Sequence, residues 1–256
     1  MHVVIHLDAD CVAAAAARLV GDALRATPDL AIALPTGRTA IPFYRALVRR
    51  HQAGRADFAR ATTFNLDELA GVGAGDAGSY AEFMREHLFD HVNLKPSRRH
   101  LFDGRARQPG HELMRIETEI ARAGGLDLAV LGIGGNGHIA FNEPGRALVA
   151  RSHVARLDAS SRRANAHLFG RRLARVPKRA LTMGVATILS ARRVVLVATG
   201  AGKARVVRRA LTGPVTTALP ASLLQTHPDV VILLDRAAAS GLPGASGPGL
   251  TITRRE

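Results

Sequence analysis

The stretch Leu126 to Pro144, LDLAVLGIGGNGHIAFNEP, decides how the chain is read. An aliphatic run, Leu126 to Leu131, ends in a glycine cluster, and His138, Asn142 and Glu143 follow within a few positions. An apolar strand, a glycine turn and then ionisable side chains is how an open α/β sheet presents chemistry at the carboxyl end of a strand. The glycines match G-x-G-x-x-G from Gly132 to Gly137, with Asp158 about twenty residues on, as in a dinucleotide site. That site needs a helix opening at the glycines, and Asn142, Pro144 and Gly145 leave no room for one.

Outward from this stretch, apolar strands alternate with helical patterns. Towards the amino terminus, Val3 to Leu7 and Leu30 to Leu34 read as strands. An Ala-rich helix between them is capped by Asp8 or Asp10, and the lone Cys11 within it reads as a small buried hydrophobe. The turn Thr36-Gly37-Arg38-Thr39 opens a helix from Ile41 to His51, and its backbone N–H groups, hydroxyls and arginine suit a phosphate. Ala61 to Asn65 is a third strand, with the carboxylates Asp67 and Glu68 at its end and a glycine-rich loop beyond. Ser79 caps a helix whose Tyr80, Phe83, Leu88 and Phe89 read as core. Leu101 and Phe102 form a short apolar pair in a polar connection, and Pro109 to Arg122 reads as a helix.

Towards the carboxyl terminus, Val149 to Leu157 alternates like a strand and Ser160 to Phe169 suggests a helix. Val194 to Ala198 is a buried-type strand leading into the turn Thr199-Gly200-Ala201-Gly202-Lys203. That turn repeats the logic of small residues, an exposed helix start and one cation. Val215 to Leu219, a short helix near Ala221 to Gln225, and Val230 to Leu234 complete the alternation. The pattern predicts one doubly wound α/β domain over residues 1–236, with a mostly parallel sheet and helices on both faces, Rossmann-like but not dinucleotide-binding. Residues 237–256, rich in Ala, Gly, Ser and Pro, are expected to be a flexible tail.

Composition narrows the function. The formal charge of +14 points to anionic partners, but almost all of it is arginine, spread without a basic helix or interleaved aromatics. Nucleic acid is therefore not expected as a partner. No run approaches the roughly 18 to 20 apolar residues of a membrane span and no signal-peptide pattern opens the chain, so a cytoplasmic protein without a membrane partner is expected. A single cysteine excludes an internal disulfide and a cysteine metal cluster, and no second histidine stands at ligand spacing from His138, so no metal site is expected. His138 and Glu143 are suited to proton transfer.

Taken together, LPTGRTAIPFYRAL, TFNLDEL with SYAEFMREHLFDHV, and GIGGNGHIAFNEPG resemble the glucosamine-6-phosphate deaminase (isomerase) family. The resemblance continues through SSRRANAHLF, VPKRALTMGVATIL and the GAGKA turn, to about Asp235. It implies hydrolytic deamination with isomerisation of an amino-sugar 6-phosphate, giving fructose 6-phosphate and ammonia, with no metal or organic cofactor. Asp67 matches the family's base at C2 and C1, His138 the residue that assists ring opening at O5, and Glu143 its proton-relay partner. Thr36, Gly37, Arg38, Thr39 and Lys203 match the phosphate site.

Three positions depart from the pattern. Asn136 stands where many members carry an aspartate that orients the histidine; its carbonyl can accept the imidazole N–H but adds no charge to stabilise imidazolium. His167 occupies the place of a phosphate-binding arginine, and Arg38 replaces a glycine, so Arg38 is expected to supply the missing guanidinium. Enteric-type members also bind N-acetylglucosamine 6-phosphate at an effector site between subunits. The matching positions here are Arg146, Ala147, His153 and Ala155, so such activation is not expected and the hexamer is not implied, while a homo-oligomer stays open. A 6-phosphogluconolactonase, which shares the fold and the phosphate turn, is the rival enzyme. A sugar-phosphate sensor without turnover is the rival of another class.

Overall fold

The computed structural model describes residues 1–243 and 251–254. In chain order the elements are β1 (His2–His6), α1 (Ala9–Ala26), β2 (Ala31–Leu34), α2 (Ala40–Gln52), β3 (Thr62–Asn65), β4 (Asp67–Leu69), α3 (Tyr80–His87), β5 (Arg99–His100), α4 (Pro109–Arg122) and β6 (Leu128–Leu131). They continue with β7 (His153–Arg156), α5 (Ala159–Asn165), β8 (Arg179–Thr182), α6 (Val185–Leu189), β9 (Arg193–Ala198), α7 (Ala204–Thr212), β10 (Val230–Asp235), α8 (Arg236–Ala239) and β11 (Thr251–Arg254).

The main sheet has the order β11-β1-β10-β9-β6-β2-β3-β5, and every pairing within it is parallel. Its central strands are aliphatic throughout because both faces are covered, and successive side chains serve opposite faces. In β6, Ala129 and Leu131 join the core with Ile116 and Ile120 of α4, while Leu128 and Val130 join the core with Val12 and Val20 of α1. Asp8 caps α1 by accepting from Cys11 N at 2.8 Å.

A second, antiparallel sheet, β4-β8-β7, is not apparent in the sequence. It holds Asp67 opposite Thr182. The Oγ1 of the fully buried Thr182 accepts from Phe141 N at 3.1 Å, and Met183 N donates to Leu66 O at 2.8 Å. The small sheet is thereby fastened to the segment that follows β6.

Several expectations need correction. Cys11 is exposed: the buried face of α1 runs through Val12, Ala13, Ala16, Ala17, Val20 and Leu24, and Cys11 lies one position off it. Val215 to Leu219 makes only an isolated bridge between Thr216 and Leu219, since Pro214 and Pro220 bracket a run too short to extend a ladder. The polar connection that carries the apolar pair Leu101 and Phe102 also holds the two-residue strand β5, at Arg99 and His100. The strand within Val149 to Leu157 is β7, which belongs to the small sheet. Of the expected tail, Ala237 to Ala239 belong to α8 with Ala238 and Ala239 buried, and β11 pairs with β1. Residues 240–243 form a turn after α8, and the remainder of that expectation, residues 244–250 and 255–256, lies outside the described residues. Among the described residues no helix is long and apolar enough to cross a membrane.

Candidate active site

Strands β3, β2, β6 and β9 are neighbours, and their carboxyl ends open into one cavity of about 480 Å³. This is where an open α/β sheet places its ligands. The segment after each strand contributes to the lining: Thr36 to Thr39 after β2, Leu66 and Asp67 after β3, Gly132 to Gly135 with His138 after β6, and Lys203 beyond β9. Ser160, Ser161, Asn165 and His167 close it from α5 and the turn that follows.

Adjacent strand residues point to opposite sides, and this separates the two carboxylates of the FNLDE segment. Asp67 lines the cavity and is 7% exposed. Burial, reinforced by the charge of Glu68, pushes its carboxyl up to about 8. Glu68 instead turns to the start of α3 and accepts from the backbone N–H groups of Leu69, Tyr80 and Ala81 at 2.8 to 3.1 Å. Burial raises it to about 7 against the lowering effect of those bonds. Its role is to cap a helix.

After β6 the chain is held in a tight turn. Gly137 has φ +94°, and Ile139 bridges Asn142 with Ala140 between them at φ +50°. The buried Asn142 clamps this turn, donating from Nδ2 to Ile139 O and Met183 O. The imidazole of His138 lies against Gly134, where an added Cβ would meet the ring at 2.3 to 2.5 Å. Only glycine fits beneath the ring.

Around the imidazole, His138 Nδ1 is 3.4 Å from Glu143 Oε2 and 3.2 Å from Ser161 Oγ. The expected bond from the imidazole to the Asn136 carbonyl is replaced by a different one. Asn136 Oδ1 accepts the backbone N–H of His138 at 3.2 Å, and Nδ2 donates to Glu143 Oε2 at 2.8 Å. A short loop brings the side chain back over the backbone, so it reaches the carboxylate and not the ring. Glu143 Oε1 accepts from Asp158 N at 3.2 Å. Burial alone would raise the Glu143 carboxyl, but His138, Ser161 and Asn136 together outweigh it and hold it below its usual value.

At the opposite wall, Gly37 has φ +97°, which glycine adopts without strain, and Thr39 precedes α2 with its hydroxyl unused as a cap. Lys203 Nζ donates to Ile133 O at 2.7 Å, and burial lowers its pKa. The Thr199 to Lys203 turn is thus tied to the glycine cluster after β6. His167 Nδ1 lies 2.8 Å from Ala164 O, so it carries the proton, and only the protonated ring offers an anion a second N–H. Arg38 lines the same cavity with a permanent charge.

Tyr80, expected only in the core, is buried but lines the cavity and donates from its hydroxyl to Asn165 Oδ1 at 2.9 Å. Ser161 and Asn165 were not singled out by residue type, and their only signal is the SSRRANAHLF segment of the resemblance. Among the described residues no cluster of three or more His, Cys, Asp or Glu could hold a metal ion.

An open parallel sheet whose strand ends bring a buried carboxylate, a histidine and two glycine turns to one cavity defines an α/β protein with an acid–base site. The chain belongs to the family of glucosamine-6-phosphate isomerases and 6-phosphogluconolactonases, whose sequence profile matches residues 8–232. It is 41% identical over 226 residues to the glucosamine-6-phosphate deaminase of Bacillus velezensis, covering 88% of this chain and 93% of that one. It is 43% identical over 228 residues to glucosamine-6-phosphate deaminase 1 of Bacillus subtilis, covering 89% and 94%. The solved structure of a monomeric glucosamine-6-phosphate deaminase superposes with a TM-score of 0.89 at 41% identity, covering 93% of this chain and 99% of that one. The 6-phosphogluconolactonase of Trypanosoma brucei, at TM-score 0.70 and 23% identity over 94% of this chain and 98% of that one, shares the fold.

Proposed function

We propose that this protein converts glucosamine 6-phosphate and water into fructose 6-phosphate and ammonia. The observation that carries the reading is the meeting of Asp67 and His138 in one cavity with the Thr36 to Thr39 turn, Glu143 standing behind the imidazole. The deaminase relatives, each covered over most of its length, support the substrate.

In this reading the phosphate sits on the backbone and hydroxyls of Thr36 to Thr39, with Lys203 and Arg38 supplying positive charge. His138, with Glu143 behind it, exchanges the protons that open the ring at O5. Asp67 takes the proton from C2 of the open aldehyde and returns it to C1 of the enolamine, giving a C2 imine. Water then adds to C2 and ammonia leaves, which makes the net change an isomerisation followed by hydrolysis. A carboxyl raised by burial is a stronger base once ionised, as removal of a carbon-bound proton requires. Every group named comes from one chain, so no second copy is needed, and a cytoplasmic location is part of the same proposal.

Ammonia and fructose 6-phosphate are measured after incubation with glucosamine 6-phosphate, for the natural protein and for Asp67→Asn. Turnover abolished by the substitution is expected. Binding without turnover by the natural protein, or hydrolysis of 6-phosphogluconolactone in its place, would overturn the reading.

A further inference from the structure

We propose that Tyr44, which does not line the cavity, is a positioning residue for the phosphate: its buried hydroxyl bonds Pro35 O and so sets the shape of the Thr36 to Thr39 turn. The inference rests on the function proposed above and adds a residue to it.

The bonds within the turn do not anchor it to the sheet. Ala40 N donates to Gly37 O at 2.9 Å and Ile41 N to Arg38 O at 3.3 Å, which closes the start of α2 but does not reach back to the strand. Pairing of β2 with β3 ends at Leu34, opposite Asn65. Pro35 follows with no N–H to donate, so its carbonyl is the only backbone group through which a hydrogen bond can fasten it. Packing leaves the turn room as well. A second cavity of about 30 Å³ adjoins it, with Pro35, Thr36 and Thr39 facing Leu131 and Gly132 among its walls.

Tyr44 supplies the tie. Its hydroxyl donates to Pro35 O at 2.5 Å, across nine positions of the chain. The residue is fully buried and its ring packs with Phe43 and Phe83, at centroid distances of 5.0 and 6.1 Å, so bulk water does not compete for the hydroxyl. Burial also pushes the phenol well above its ordinary value, so it remains a donor. Tyr44 sits in the second turn of α2 and Pro35 directly after β2, and the bond therefore fixes how the strand hands over to the helix. The N–H groups in between are oriented by that handover. Backbone N–H groups hold an anion when they converge on it, and a turn already set in that shape binds without first having to be ordered.

The test uses Tyr44→Phe and, as a control on the same helix, Leu47→Val, whose side chain is also fully buried. Steady-state kinetics with glucosamine 6-phosphate, calorimetric binding of inorganic phosphate and thermal melts are measured for each. A net hydrogen bond corresponds to a factor of roughly two to ten in an equilibrium constant, so Tyr44→Phe should raise KM, and the phosphate dissociation constant with it, about fivefold. The phosphate is gripped alike in the ground and transition states, so kcat should stay within about twofold. Leu47→Val should lower the melting temperature yet leave both constants as they are. Natural phosphate binding in Tyr44→Phe would overturn the proposal, and so would an equal loss in Leu47→Val, which would make general loosening of α2 the cause. A natural protein that binds phosphate without releasing ammonia would refute the functional reading alone, while one that binds no phosphate would overturn both.

Discussion

The side-chain amide of Asn136 donates to Glu143 Oε2 at 2.8 Å, while its carbonyl holds the backbone N–H of His138. The asparagine therefore stabilises the ionised carboxylate, and does so as a donor. Asn136→Asp replaces that donor with a second carboxylate at hydrogen-bond distance. Two such groups resist ionising together, so the Glu143 carboxyl rises. Activity that requires ionised Glu143 then fails at a higher pH as the solution is acidified. A kcat–pH profile displaced to the alkaline side on its acid limb is the expected result, and an unmoved limb would contradict this role.

Asp67 titrates near 8 in the folded chain against an ordinary value of 3.8. Below 3.8 both folded and unfolded chains hold this proton, so the group has no effect on stability. Between 3.8 and about 8 the unfolded chain ionises first, and a destabilising contribution grows until it is complete above the folded value. Asp67→Asn should thus raise stability on the order of 5 kcal/mol at pH 8, and by almost nothing at pH 3.5, in paired thermal melts. In the natural protein kcat/KM should climb with pH towards about 8, as Asp67 ionises.

Gly134 lies under the imidazole, with 2.3 Å between a hypothetical Cβ and the ring. Gly134→Ala must displace His138. Because a misplacement of about 1 Å can cost about a hundredfold in rate, kcat should drop by about that factor while the melting temperature moves little. A variant that keeps its kcat would show that the ring position does not matter.

Arg38 and His167 line the same cavity, and the proposed reading sets Arg38 against the phosphate. Loss of a charged contact worth about 1.5 kcal/mol predicts a KM for the sugar phosphate about tenfold higher in Arg38→Ala. His167→Arg, added to that variant, should bring the KM back. An Arg38→Ala protein with natural KM would remove Arg38 from the phosphate site.

Much of this site is legible in the sequence because its parts follow strongly patterned strands. The run Leu126 to Leu131, the turn Thr36 to Thr39 and the helix Pro109 to Arg122 declare themselves through aliphatic character, glycine and proline. What stays hidden depends on contacts distant in sequence. The strand β4 has three residues, too few for a pattern, and exists because β8 pairs with it. Asp67 and Glu68 look equivalent as neighbours, and only their alternation across that strand assigns one to the cavity and the other to a helix cap. Ser161 is one hydroxyl in a polar run, and nothing local marks it as the one that meets His138. Cys11 shows the converse, since a helix position one residue off the buried face cannot be told from a buried one by composition.

Thr182 is the cross-strand partner of Asp67, and through Oγ1 it also receives the N–H of Phe141, three residues beyond His138. It joins the strand that carries Asp67 to the turn after β6 that carries the imidazole. The side chain that makes this connection is fully buried. One buried hydroxyl thus sets the relative placement of two segments that are distant in sequence, and the distance between Asp67 and His138 depends on it.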